Sequence, residues 1–173
     1  MHLELTKDFD AVREKYIDVI DNTPDLEKHS RWRYGKHPSD DLLRSYIEND
    51  EMYVLSDDGK IAGLVAITMY QGESYEAIDW AADLKNDEAA VLHLLAVCPD
   101  YQGRALGQVI IEEAENAARQ SGMKALRLDT MITNLPAQRM YDKAGFSCRG
   151  RQRLFTQNVG WTEFLYYEKL LGG

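Results

Sequence analysis

Residues 97–107 read Val-Cys-Pro-Asp-Tyr-Gln-Gly-Arg-Ala-Leu-Gly, a glycine-bearing turn between an apolar run and a helical pattern. The chemistry of such a turn is anion binding. Gly103 and Gly107 let the backbone bend and come close to a ligand, and amides backed by a helix's positive end suit a phosphate. No Lys-Ser or Lys-Thr follows and no GxGxxG is present, so the loop is not of the nucleotide P-loop or dinucleotide type. A second segment runs from Asn134 to Phe146 as Asn-Leu-Pro-Ala-Gln-Arg-Met-Tyr-Asp-Lys-Ala-Gly-Phe. Within it Tyr141, an ionisable phenol, shares an apolar stripe with Ala137, Met140 and Ala144 and so faces inward.

These residues need elements to position them. Val91 to Val97 is an apolar run of strand length, ended by Pro99, which has no amide to donate to a ladder. From Gln108 to Ser121, Ile110, Ile111, Ala114, Ala117 and Ala118 fall at helical spacing. Ala125 to Met131 alternates like a strand. The segment after Asn134 is a short helix marked at both ends: Asn134 can cap it, Pro136 fits its first turn, and Gly145 stops it with Phe146 packing back. Strand, phosphate turn, helix, strand, helix is therefore the order over 91–146.

At these residues the chain resembles the GNAT superfamily of N-acetyltransferases. Its acetyl-CoA motif (Gln or Arg, two residues, Gly, one residue, Gly or Ala) is similar to Gln102-Gly103-Arg104-Ala105-Leu106-Gly107. Its second motif, Asn-x-x-Ala-x-x-x-Tyr-x-x-x-Gly-Phe, is matched by Asn134, Ala137, Tyr141, Gly145 and Phe146. The resemblance is clear across 91–146. Ala105 departs from it, standing where the family usually has glycine. With negative φ it would still aim an amide at a pyrophosphate, whereas left-handed geometry is costly for alanine.

The resemblance implies an α+β fold of three layers, a mixed, mostly antiparallel central sheet flanked by helices. It implies acetyl-CoA as cosubstrate, no metal, and direct attack of a primary amine on the thioester. Backbone amides of Leu95, Ala96 and Val97 would bind the pantetheine arm and polarise the acetyl carbonyl. Gln102, Gly103, Arg104, Ala105, Leu106 and Gly107 would hold the pyrophosphate, and Asn134 the pantetheine arm. Tyr141 would be the general acid for the departing thiolate, a phenol staying protonated at pH 7. His93, ionisable on an apolar strand, is the expected general base, with Asp79 a weaker candidate. Trp32, Tyr34, Tyr70, Tyr75, Trp80 and Phe155 come from segments bordering the acceptor cleft in related folds; they suit a cation–π cage or plain packing about the sheet. The alternative function is a catalytically silent acyl-CoA-binding sensor.

Composition sets the frame. At 173 residues and 45% hydrophobic content, a single domain is expected over 1–173, with 1–90 as N-terminal strands and acceptor-side helices, 91–146 as the coenzyme core and 147–173 as C-terminal strands. The formal charge of −9 argues against nucleic acid and anionic membranes as partners. A small-molecule or peptide amine is the expected acceptor. Cys98 and Cys148 lie far apart without metal-ligand spacing, which fits reduced thiols, and with a charged N-terminus and no long apolar stretch a cytoplasmic protein is expected. Family members often dimerise, and residues 164–170 would offer an edge for a homodimer.

The rest of the chain supplies further elements. His2 to Thr6 reads as a strand, Asp8 to Asp21 as a helix, and Ser39 starts another helix carrying Leu42, Leu43, Tyr46 and Ile47. Asp57-Asp58-Gly59 is a hairpin turn between 52–55 and 61–70. Segments 152–157 and 164–170 read as strands joined through Asn158-Val159-Gly160, and 72–88 carries no clear period.

Overall fold

The computed structural model describes residues 1–157 and 159–172. Its strands are β1 (Leu3–Leu5), β2 (Met52–Asp57), β3 (Lys60–Thr68), β4 (Ala89–Val97), β5 (Ala125–Met131), β6 (Ser147–Thr156) and β7 (Gly160–Leu170). Its α-helices are α1 (Phe9–Asn22), α2 (Leu26–Ser30), α3 (Asp40–Glu48), α4 (Leu106–Gln120) and α5 (Leu135–Lys143). The strands form one open sheet in the order β1-β2-β3-β4-β5-β7-β6. Only β4 and β5 run parallel; every other neighbouring pair is antiparallel. This is the mixed, mostly antiparallel sheet with flanking helices that the resemblance implied.

Helical periodicity builds the two outer layers. On one face α4 presses Ile110, Ile111, Ala114 and Ala118, all fully buried, onto Leu92, Leu126, Leu128 and Tyr167. On the other, Val12, Tyr16 and Val19 of α1 and Leu43 and Ile47 of α3 cover Met52, Val54, Leu64 and Ala66. Side chains meet helix ends where the sequence placed caps: Asp8 accepts from Ala11 N at 3.0 Å and Ser39 from Leu42 N at 3.3 Å. Truncating a residue such as Ile110 to alanine would cost about 2–5 kcal/mol by transfer and cavity terms.

One irregularity governs the middle of the sheet. β4 pairs with β5 from Ala89↔Ala125 to Leu92↔Leu128 and no further. On its other side, β4 shifts register against β3, with His93 opposite Ala66 but Ala96 opposite Leu64. Leu94 and Leu95 therefore stand against Val65 alone, a β-bulge, and Leu94 takes φ +53°. The bulge puts His93 and Leu94 on the same face, turns β4 away from β5 and opens the sheet beyond Leu92. The Leu94 carbonyl accepts from Tyr16 Oη at 2.8 Å, so α1 satisfies the polar group the bulge exposes.

Residues 69–88, which include the unpatterned 72–88, are held down by charge. Arg127 of β5, fully buried, donates to Glu168 of β7 at 2.6 and 2.9 Å, to Gln71 at 2.5 Å and to the Ala82 carbonyl at 3.1 Å, with Trp80 stacked 4.1 Å from its guanidinium carbon. Glu168 also accepts from Ala81 N at 2.8 Å. The aromatic residues of the segment, Tyr75 and Trp80, stack at 5.8 Å and lie edge-on to Tyr166.

Three expectations change. Residues 164–170 lie in β7, which sits between β5 and β6, so they offer no free edge; β1 and β6 are the edges. β6 begins at Ser147 rather than 152, and α2 is a short helix the periodicity missed. Asn158 of the expected turn lies outside the described residues.

The buried ion pair yields a stability prediction. Glu168→Gln leaves Arg127 charged without its counter-ion and should cost about 3–5 kcal/mol in urea unfolding. Arg127→Met combined with Glu168→Leu removes the unpaired charge but leaves Gln71, Ala81 N and the Ala82 carbonyl without those partners, and should recover only part of that loss.

Candidate active site

The divergence of β4 from β5 leaves a cavity of about 370 Å³ floored by Leu92, His93, Leu94 and Leu95 on one strand and Asp129, Thr130 and Met131 on the other. α5 closes one side with Asn134, Ala137, Met140 and Tyr141. Trp32 and His37 from the segment after α2, Tyr46 of α3, Ser74, and Leu154, Thr156, Phe164 and Tyr166 of the β6–β7 hairpin complete the wall.

Next to it lies the loop expected to cradle an anion. A 3₁₀ turn at Pro99–Tyr101 leads from β4 into the loop, where Gly103 takes φ +77° and Ala105 φ +58°. α4 starts at Leu106 with no side-chain cap, unlike α1, α3 and α5. Among the described residues, no acceptor meets the amides from Gly103 to Gly107. These unclaimed donors at a helix's positive end are what a pyrophosphate requires. Gly107 has a different job from the one its loop context suggested. A Cβ there would come 2.4 Å from Met140 Sδ, so its bareness lets α4 settle against α5. Gln108 Nε2 donates to the Met140 carbonyl at 2.9 Å in the same contact. Met140 thus joins cradle and cavity.

Several expected coenzyme residues fall along this path. Leu95 lines the cavity. Ala96 and Val97 pair with Leu64 and Gly63 of β3, and among the described residues the pairing of β4 with β5 stops at Leu92, before them. Gln102 does not point its side chain at a phosphate: Nε2 donates to Thr23 Oγ1 at 2.8 Å and the Val97 carbonyl at 3.1 Å, bracing the loop against α1. Arg104 is exposed, 5.1 Å from the Tyr101 ring, and Leu106 turns into the core. Asn134 Oδ1 caps α5 by accepting from Ala137 N at 3.3 Å, leaving its amide NH₂ as the donor on the cavity side.

Tyr141 lines the cavity between Phe146 and Tyr167, and burial raises its pKa well above the phenol value, with the Asp129 charge adding to the effect. It stays a proton donor across the neutral range. His93 stacks on Tyr46 at 5.6 Å, and its Nε2 lies 3.1 Å from Thr68 Oγ1. That hydroxyl donates to the Tyr70 carbonyl at 2.7 Å, so its oxygen accepts from Nε2–H and the lone pair is left on Nδ1. Burial, with His37 nearby, pushes the His93 pKa down to about 4. A proton acceptor so weak is poorly matched to an amine.

Sequence reasoning passed over Asp129. It sits on β5 at the point of divergence and lines the cavity, its Oδ2 accepting from Tyr75 Oη at 2.6 Å; burial raises its pKa and the Tyr75 bond opposes the rise. The available signal was an acidic residue on an otherwise buried strand. Among the expected acceptor aromatics, Trp32 lines the cavity. Tyr34 packs beside α1 and donates to Asp40 at 2.6 Å, and Trp80 is spent on Arg127. Tyr75 reaches the site from behind, through Asp129. Phe155 is 60% exposed against Trp161; strand alternation turns its neighbours Leu154 and Thr156 inward and Phe155 out. Asp79 does not line the cavity. Among the described residues, no three His, Cys, Asp or Glu side chains gather as a metal site, and no helix is long and apolar enough to cross a membrane.

Known proteins share this architecture. The family model described as Acetyltransferase (GNAT) family matches residues 19–146. A Bacillus subtilis (strain 168) protein, provisionally named a ribosomal protein bS18-alanine N-acetyltransferase, is 25% identical over 86% of this chain and 88% of its own length. A GNAT-family acetyltransferase from Streptococcus agalactiae 2603 superposes with TM-score 0.73 at 20% identity, covering 98% of this chain and 94% of that one. A Salmonella typhimurium protein described as an acetyltransferase, solved with its cofactor acetyl-CoA, gives TM-score 0.70 at 16% identity over 100% and 95% of the two chains.

Ala105 departs from the negative φ that alanine prefers, and this can be tested. Left-handed geometry costs an L-residue about 1–2 kcal/mol, against about 0.5–1 kcal/mol for glycine's extra freedom when unfolded. Ala105→Gly should therefore stabilise the fold by about 0.5–1 kcal/mol in urea unfolding while acetyl-CoA binding, read by calorimetry, is held or tightened.

Proposed function

The chain belongs to the GNAT acetyltransferase family and is an acetyl-CoA-dependent acyltransferase, and from that premise we propose that it acetylates a primary amine by direct attack in the cavity between β4 and β5. The observation that carries this reading is the meeting of Tyr141 and Asp129, a phenol held protonated and a partly buried carboxylate, in one cavity beside an uncapped helix start.

When bound, acetyl-CoA supplies an acetyl thioester, an electrophilic carbonyl with a thiolate leaving group. The chain's own residues do the rest. The amides from Gly103 to Gly107 bind pyrophosphate oxygens, each charge-assisted bond contributing about 1.5–3 kcal/mol. The unpaired side of β4 beyond Leu92 and the Asn134 amide hold the arm between them, and Leu95, Ala137 and Met140 exclude water around it. Tyr141 Oη keeps a proton ready for the leaving sulfur.

Asp129 receives the acceptor. Its carboxylate pairs with the incoming ammonium, and Tyr75 fixes its orientation through the 2.6 Å bond. A lysine-like amine, pKa about 10.4, is deprotonated at a cost of roughly 4.6 kcal/mol at pH 7, whereas an α-amine near 7.8 needs only about 1–1.5 kcal/mol. We assign the base to Asp129, whose carboxylate Tyr75 holds at the cavity wall, rather than to His93, whose pKa burial pushes down to about 4. His93, neutral at pH 7, contributes its Nδ1 lone pair and a rigid wall. The name of the Bacillus subtilis relative favours an α-amine as acceptor.

The test is thiol release from acetyl-CoA across an amine panel. Tyr141→Phe should lower kcat about 10²-fold or more with calorimetric acetyl-CoA affinity retained; an unchanged kcat would remove Tyr141 from the chemistry. Asp129→Asn should abolish most turnover yet stabilise the protein at pH 7. Burial makes the folded state favour the protonated carboxyl, so wild-type stability falls as pH rises from the ordinary carboxylate range, near 3.9, to the raised folded pKa. Asparagine removes that loss. The variant's gain in unfolding free energy should be full at pH 7 and vanish near pH 3.

A further inference from the structure

The acceptor half of the cavity has an unusual charge inventory. Asp129 is the only carboxylate among the described residues that line it, and no lysine or arginine does so. The other ionisable walls are phenols whose pKa values are raised, Tyr46, Tyr141 and Tyr166, and imidazoles whose pKa values are lowered, His37 and His93. All five are uncharged at pH 7. The aromatic bodies and hydroxyls around them can stack on or hydrogen-bond a neutral molecule but cannot balance an ion.

We infer that the site selects acceptors that bring one positive charge and no negative one: a primary ammonium seated on Asp129, attached to a neutral body such as an amide. This inference rests on the cavity being the acceptor site, as proposed above. A free amino acid would carry its carboxylate into a space without a countercharge, next to Asp129. A short diamine would bury a second ammonium with no second carboxylate. Desolvation penalises both without repayment. The chain's net charge of −9 favours polycations approaching the surface, so the prediction is that the cavity overrules the surface.

Two matched pairs separate charge from shape: alaninamide against alanine, and pentylamine against 1,5-diaminopentane. kcat/KM is measured by thiol release, expressed per unprotonated amine, and in parallel each amine is titrated calorimetrically into protein saturated with CoA. The neutral-bodied member of each pair should lead by tenfold or more in turnover and in affinity. A lead under tenfold in either pair overturns the inference while leaving the acetyltransferase reading intact. Thiol release with none of the four amines counts against the acceptor reading instead, and the calorimetric ratios then still decide the charge rule.

Discussion

The site depends on a strand that stops pairing. Parallel β4 and β5 would, if continued, close the sheet and leave no cavity at its centre. The extra residue at Leu94 prevents this by turning β4 away after Leu92↔Leu128. A leucine at φ +53° is costly, and the surrounding structure must hold it there. Tyr16 does so from α1 through the Leu94 carbonyl, and the two apolar clusters grip β4 from both faces. The unpaired side of β4 and Asp129 on β5 reach the cavity through that opening.

A second constraint works from beneath. The Arg127–Glu168 pair is weak evidence for stability, because taking two charges out of water offsets most of their attraction. Its effect is geometric. By holding Gln71, Ala81, Ala82 and Trp80 it fixes the path of 69–88, and that path brings Tyr75 onto Asp129. The ion pair and the carboxylate are two residues apart on β5, on the same face. Charge buried for position at 127 thereby supports the orientation of the carboxylate at 129.

What could be read in advance follows from how local its cause is. The α5 segment carries its own cap, proline and stop, so Asn134 and Tyr141 were placed correctly from residues a few positions apart. The turn between β4 and α4 was legible for the same reason, since such a turn needs little from the rest of the chain. Leu94 gave no signal, because leucine has no preference for left-handed geometry and the bulge is imposed by β3, α1 and the divergence of β5. Asp129 was hidden inside an alternating strand, and its importance arises only when Tyr75, remote in sequence, arrives beside it. The aromatics left open between cage and packing are decided by the same logic: a buried guanidinium claims Trp80, and strand alternation turns Phe155 outward.

The electrostatics of the two ends divide in a way that limits how many protons can move. At the cradle, charge is met by backbone amides and a helix terminus, none of which titrates. At the acceptor end, burial pushes the phenols of Tyr46, Tyr75, Tyr141 and Tyr166 up and the imidazoles of His37 and His93 down. Desolvation acts on acids and bases in opposite directions, and here both directions lead to a neutral group at pH 7. The same burial raises Asp129, yet Tyr75 donates to it and keeps the ionised form within reach. On the reading proposed above, a single carboxylate is thus left to exchange a proton with the incoming amine, while the neutral groups around it supply shape and hydrogen bonds, and any second charge that enters finds no partner.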